Sequence, residues 1–291
     1  MRFDVVTLFP ELFASFLVSG VTRRAYETGR VEVKLWNPRD FAEGSYRRVD
    51  DRPFGGGPGM VMMAEPLALC LEKIRGDRAA CSATDAPTIL FSPTGQPLNH
   101  SGVERWSAGG GAVLICGRYE GLDQRFIDTH VDHQISLGDF VLSGGEIAAM
   151  ALLDAVARLQ PGVLNDEGSH QLDSFNPALD GLLDCPHYTR PEAWRGQPVP
   201  AVLMSGNHAY IQRWRREQRL ALTQRQRPEL VRAARTAGHL SATDETFLDD
   251  LIEKPDTSAC IAIIKGFSVL WRPLQPSGFS LRESMDLRSL A

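Results

Sequence analysis

The sequence predicts an α/β fold with a mainly parallel sheet, followed by a smaller helical C-terminal domain. Three observations predict it. Short apolar runs at Thr88–Phe91, Ala112–Cys116 and Gln134–Leu137 each end in a glycine- or proline-bearing turn, and helical patterns lie between them and after the last. That strand–turn–helix alternation is the signature of a parallel sheet. Residues 160–187 are rich in Pro, Gly, Asn, Asp and Ser, as interdomain segments are, and a helical pattern follows them.

The elements follow in order. Residues 2–9 (RFDVVTLF) and 31–36 (VEVKLW) read as strands, the second alternating Val31, Val33 and Leu35 on one face. Pro10 and Glu11 open a helix through Val18. Residues 37–60 form a long polar loop ending in GGGPGM, and a loop of that length in a compact domain is functional or disordered. An amphipathic helix covers 65–75, and further helices are expected at 102–107, 122–131 and 146–159. In the second domain the best helix starts at Asn207, a good N-cap, and runs through Ile211, Trp214 and Leu220. The end of the chain holds one apolar run, Ala259–Trp271, to which no role is assigned.

Composition excludes several classes. The chain has 291 residues, 43% hydrophobic and 23% charged, enough for a sizeable core without disulfides. Its five cysteines are odd in number, scattered and never in C-x-x-C spacing, which fits a reducing cytoplasm and argues against a structural zinc site. The first residues lack a basic stretch followed by a long apolar run, and nowhere do about 20 apolar residues follow one another, so neither a signal peptide nor a membrane span is expected. The net charge of −5 disfavours nucleic acid until its distribution is considered: from Arg213 to Arg235 eight arginines face two glutamates, a local balance of +6. A patch like that supplies phosphate contacts, although a solvated helix face is the plainer alternative.

The chemistry concentrates in the three turns: Ser92-Pro93-Thr94-Gly95, Gly117-Arg118-Tyr119-Glu120-Gly121, and Gly138-Asp139 followed by Ser143-Gly144-Gly145. Glycine lets main-chain groups approach a flat ligand closely and accepts positive φ. One such turn is ordinary; three on successive strands point to a nucleotide-like ligand beyond the strands' carboxyl ends. Ser143 and Glu146 have the spacing of a capping box. A P-loop, a G-x-G-x-x-G fingerprint after the first strand and a G-x-S-x-G elbow are all missing. His130 and His133 lack a third ligand at suitable spacing, so no metal site is assigned.

Longer motifs then carry a resemblance. Gly117–Gly121, Leu137–Glu146 (LGDFVLSGGE), Asp184–Pro191 (DCPHYTRP), Phe54–Met60, Ser92-Pro93 and Val202–Gly206 closely resemble the bacterial tRNA (guanine-N1)-methyltransferases that act at position 37. The likeness runs from the N-terminus to about residue 235; residues 165–172 and the chain beyond Thr236 depart from it, and Phe140 stands where tyrosine is common.

The resemblance implies a deep trefoil knot, which pattern reading alone would not propose. It implies a homodimer with active sites at the subunit interface, and S-adenosyl-L-methionine held bent by Ser92, Pro93, Gly95, Gly117, Tyr119, Gly121, Leu137, Gly138, Asp139, Phe140, Val141, Leu142, Gly144 and Gly145. It implies Asp173 as general base, Arg158 as its electrophilic partner, Glu120 as the group orienting guanine, and a divalent ion such as Mg²⁺ as an assistant. The domains expected are a knotted cofactor domain at 1–164, a linker at 165–187, a tRNA-binding helical domain at 188–245 and a tail at 246–291. Arg213, Arg215, Arg216 and Arg219 are the tRNA contacts expected in that helical domain. Two other readings compete: a knotted enzyme acting on another base or on ribose 2′-OH, and an RNA-binding module without catalysis.

Overall fold

The computed structural model describes residues 1–83, 85–165 and 170–253. It divides into two compact units, Met1–Asp184 and a second beginning at Cys185.

The first unit runs β1 (Arg2–Val6), α1 (Leu12–Val18), α2 (Arg23–Glu27), β2 (Glu32–Trp36), β3 (Asp50–Asp51), β4 (Val61–Met62), α3 (Ala64–Ala80), β5 (Thr88–Pro97), α4 (His100–Ala108), β6 (Gly111–Ile115), α5 (Gln124–His130), β7 (His133–Ser136) and α6 (Glu146–Ala157). Five strands form one sheet in the order β2-β1-β6-β5-β7, and every neighbouring pair is parallel. β3 and β4 make a short antiparallel ladder at the end of the long polar loop.

β1 and β6 are buried along their whole length, as strands covered on both faces must be. The period of two then sorts their side chains into two layers. Phe3, Val5, Ile89, Ala112 and Leu114 pack with Phe13 of α1 and with Ala149, Leu152 and Leu153 of α6. Val6, Leu90, Val113 and Ile115 pack with Leu71 and Ile74 of α3 and with Phe126 of α5. A charged cluster sits inside this sandwich. Asp4, wholly buried in β1, accepts from Arg2 Nη2 and Arg78 Nη1 at 2.6 Å each and from Trp36 Nε1 at 2.9 Å. A buried carboxylate is tolerated only when matched in this way.

Three boundaries differ by more than two residues from those the sequence predicts. β1 stops at Val6 because Thr7 turns the chain, its Oγ1 accepting from Phe9 N at 3.0 Å ahead of Pro10. α3 continues through Gly76 to Ala80, since Asp77 and Arg78 on its last turns reach the ion-pair cluster at β1; tertiary contacts override the local cost of glycine. β5 passes through Ser92–Gly95 as a bulge and pairs again with β7 at Gln96 and Pro97.

Residues 170–184 fold with the first unit. They form 3-10 turns at His170–Leu172 and Pro177–Leu179 and bury Leu179 and Leu182.

The second unit holds a hairpin of β8 (Ala193–Trp194) and β9 (Gln197–Pro198), then α7 (Ala201–Met204), α8 (His208–Gln226), α9 (Pro228–Thr236) and α10 (Ala242–Glu253). Asn207 caps α8 as its sequence predicts, accepting from Ala209 N and Tyr210 N. Leu220, Thr223, Val231, Ala234, Asp244 and Leu248 are buried in these helices. The run Ala259–Trp271 and most of the expected tail lie outside the described residues. Among the described residues no helix is long and apolar enough to cross a membrane.

Candidate active site

A cavity of about 510 Å³ opens beyond the carboxyl ends of β6, β5 and β7, which are neighbours in the sheet. It collects most of the residues expected to hold a cofactor: Ser92, Pro93, Gly117, Tyr119, Gly121, Leu137, Phe140, Val141, Leu142, Gly144 and Gly145, with Glu120 beside them. Leu90, Ile135 and Ala148 add an apolar wall. Gly138 and Asp139 belong to the same turn but do not line the cavity, and Gly95 faces a neighbouring hollow with Arg105 and Trp106. Gly95 is nonetheless required where it stands, because a Cβ there would overlap the backbone of Ile135.

The turns are joined by main-chain bonds. Gly145 N donates to Gly117 O at 3.0 Å, and a Cβ on Gly145 would lie 2.8 Å from Cys116 Cα. Thr94 Oγ1 donates to Gln134 Oε1 at 2.9 Å, tying the β5 bulge to β7. The capping box expected at Ser143 and Glu146 does not form. Gly145 takes the N-cap position of α6 and no side chain caps it. Glu146 is 1% exposed and turns instead to Thr7 and Arg118, because a buried carboxylate gains more from a guanidinium than from a main-chain N–H.

Tyr119 adopts φ 60, a left-handed conformation costly for a tyrosine, and Gly121 follows at φ 130. The β4 end of the glycine-rich loop grips this turn: Glu120 N donates to Met60 O, and Met62 N to Gly121 O. Gly59 leaves the space that the Glu120 side chain fills. Burial, with the Asp50 carboxylate behind it, pushes the Tyr119 phenol above its ordinary range against an opposing pull from Arg39, so it stays a donor at neutral pH. Asp50 and Arg39 carry no signal of their own in the sequence; only the length of the 37–60 loop points to this region, and it names no residue.

Arg158, just past α6, donates from Nη1 to Asp173 Oδ2 at 2.6 Å, both side chains about one-third exposed. Asp173 is fixed by its own loop: its N–H donates to His170 O, its carbonyl accepts from Asn176 N, and the Asn176 amide bonds His170 O. Neither Arg158 nor Asp173 lines the cavity formed by the same chain. Among the expected arginines, Arg213 pairs with Glu217 and Arg216 with Asp244 and the His239 carbonyl; Arg215 and Arg219 share α8 with them. His130 stacks on Phe126 and His133 meets Trp106 edge-on, ordinary aromatic packing for both.

A parallel sheet covered on both faces, with a cavity at the ends of adjacent strands, is the class of α/β protein in which ligands bind at such a crevice. The family model described as "tRNA (Guanine-1)-methyltransferase TrmD" matches residues 1–233. The chain belongs to this tRNA (guanine-1)-methyltransferase family. A Polaromonas protein named tRNA (guanine-N(1)-)-methyltransferase is 83% identical over 259 residues, covering 89% of this chain and 100% of its own. Proteins of the same name from Paracidovorax citrulli and Bordetella pertussis are 73% and 58% identical over 251 residues, each covering 86% of this chain and 98% of its own.

Proposed function

We propose that the chain transfers a methyl group from S-adenosyl-L-methionine to N1 of guanine at position 37 of tRNA, in the cytoplasm and as a homodimer. The observation that carries this is the single cavity into which turns from three adjacent strands converge, locked by the Gly145–Gly117 main-chain bond. The cavity fits the donor: Gly145 bare of Cβ where its main chain meets that of Cys116, an apolar wall, and exposed Phe140 and Val141 at its rim. Phe140 keeps the ring at that position and dispenses with a hydroxyl. The knot expected of this family is part of the same reading.

When bound, the donor supplies a methyl activated by its sulfonium. The rest falls to the protein. N1 of neutral guanine carries a proton and has no in-plane lone pair, so Asp173 removes that proton while Arg158 neutralises charge developing on O6. Glu120, held by the main chain of Met60, orients the base, and Tyr119 donates beside it. A hard cation such as Mg²⁺ would take carboxylate oxygens of the kind that Glu120 and Asp173 offer. Since Asp173 and Arg158 do not line their own chain's cavity, they are assigned to the site of a second copy, which supports active sites at the subunit interface. The arginines of α8 meet tRNA phosphates, and the target base is turned out of the anticodon loop.

The test is incubation with unmodified tRNA and methyl-labelled donor, with and without chelator, followed by digestion to nucleosides. Labelled 1-methylguanosine is expected. Label on another base or on ribose would redirect the target, and no label would leave an RNA-binding module. Asp173→Asn is expected to keep donor affinity and lose about 10²–10⁴-fold in turnover, the usual contribution of a positioned base; unchanged turnover removes Asp173 from that role.

A further inference from the structure

Glu146 is a carboxylate at 1% exposure on the first turn of α6, and it does not line the cavity. Burying such a charge costs several kcal/mol unless it is matched. Two side chains answer it. Thr7 Oγ1, just past β1, donates to Oε1 at 2.9 Å; Arg118 Nε donates to the same oxygen at 3.2 Å, and its Nη2 stands 3.0 Å from Oε2 as an ion pair that gives this oxygen no hydrogen bond. The positive end of the α6 helix dipole adds to these.

Arg118 is thereby stretched across the site. Its Nη1 donates to Ser143 O at 3.2 Å, its guanidinium lies 4.5 Å over the Phe9 ring, and its backbone pairs with Gly144. Gly144 has to be bare, because a Cβ there would collide with the Arg118 side chain. The next residue is Tyr119 in its strained left-handed conformation, then Glu120. One buried carboxylate therefore anchors the end of β1, the turn after β6 and the loop from β7 into α6.

We propose that Glu146 is a positioning residue: through Arg118 it holds the Gly117–Gly121 and Leu137–Gly145 turns in register around the methyl donor. This rests on the donor-binding reading above. Glu146 touches no reacting atom, so its loss acts on donor affinity and spares the chemical step.

The test measures S-adenosyl-L-methionine binding by calorimetry, donor KM and kcat with tRNA, and thermal stability, for the wild type, Glu146→Gln, Arg118→Met and their double variant. Glu146→Gln is expected to weaken donor binding and raise donor KM by about tenfold, the order set by losing one charge-assisted hydrogen bond, with kcat held within a few-fold. The double variant is expected to bind no worse than the weaker single, since both act through one contact. Arg118→Lys, which keeps a charge opposite Glu146 and so favours folding, is expected to lose the forked geometry and donor affinity with it. Wild-type affinity in Glu146→Gln or Arg118→Lys, or fully additive losses, would overturn the proposal. A wild-type protein that binds no donor would overturn the methyl-donor reading itself, and this inference with it.

Discussion

Asp173 is an ordinary loop aspartate in sequence, and what distinguishes it is a 2.6 Å contact with Arg158, fifteen residues earlier. The contact orients the carboxylate beside a guanidinium, the pairing that the proposed proton abstraction next to a carbonyl would use. The glycines act differently, by what they leave out. Gly145→Ala would set a methyl 2.8 Å from Cys116 Cα, a backbone atom that cannot step aside. The substitution is expected to cost about 1–3 kcal/mol, as overpacking does, and to abolish measurable donor binding. Denaturant unfolding and calorimetry check both halves, and an alanine variant that binds normally would show the turn can open. The motif that named Gly145 was visible in sequence, but the reason for it was not. Nothing local says that residue 145 abuts residue 116.

Elements were legible where pattern is local. The apolar runs of β5, β6 and β7 and the Asn207 cap of α8 stand close to where periodicity and capping chemistry put them. The ion-pair cluster around Asp4 was not legible, because its partners Trp36 and Arg78 are 32 and 74 residues away. Glu146 shows the same limit: its spacing from Ser143 suggests a cap, and its real partners come from the turns that follow β1 and β6. In the second unit, α10 is fastened to α8 by Arg216 and Asp244. Burial pushes the Asp244 carboxyl up, but the Arg216 guanidinium and the Ser241 N–H and O–H outweigh it and hold it below its ordinary value. A depressed folded value means that this stabilisation is complete above about pH 4 and is lost as pH falls through the folded value. Asp244→Asn is therefore expected to lower helical-unit stability by about 1–3 kcal/mol near neutrality and to lose that difference in acid. Urea melts followed by circular dichroism at both pH values decide it, and a difference that persists in acid counts against the ion pair.

At the scale of the whole molecule, the proposed function asks an acidic protein to meet a polyanion through a few arginines. α8 turns by about 100° per residue, which puts Arg215 and Arg219 close together on its surface. Arg216 is spent on Asp244. Arg215→Ala is expected to weaken tRNA binding across sequences and to flatten the salt dependence of binding by about one unit of slope, as loss of a single phosphate contact does. An unchanged slope in filter binding would remove that contact. The cavity and the Asp173–Arg158 pair, separate within one chain, lead to a second expectation. Co-expressed Asp173→Asn and Glu120→Gln chains should form hybrids in which one site is whole, restoring turnover that neither variant has alone. No recovery would mean each site is built from a single chain.

The bond from Gly145 N to Gly117 O joins two walls of the cavity without using a side chain. A side chain at Gly145 would press on Cys116 Cα and one at Gly117 on Leu122, so the seam tolerates little variation at either position. An inhibitor that packs against this seam would leave the organism few escapes; one that leans on the exposed side chains of Phe140 or Val141 would leave more.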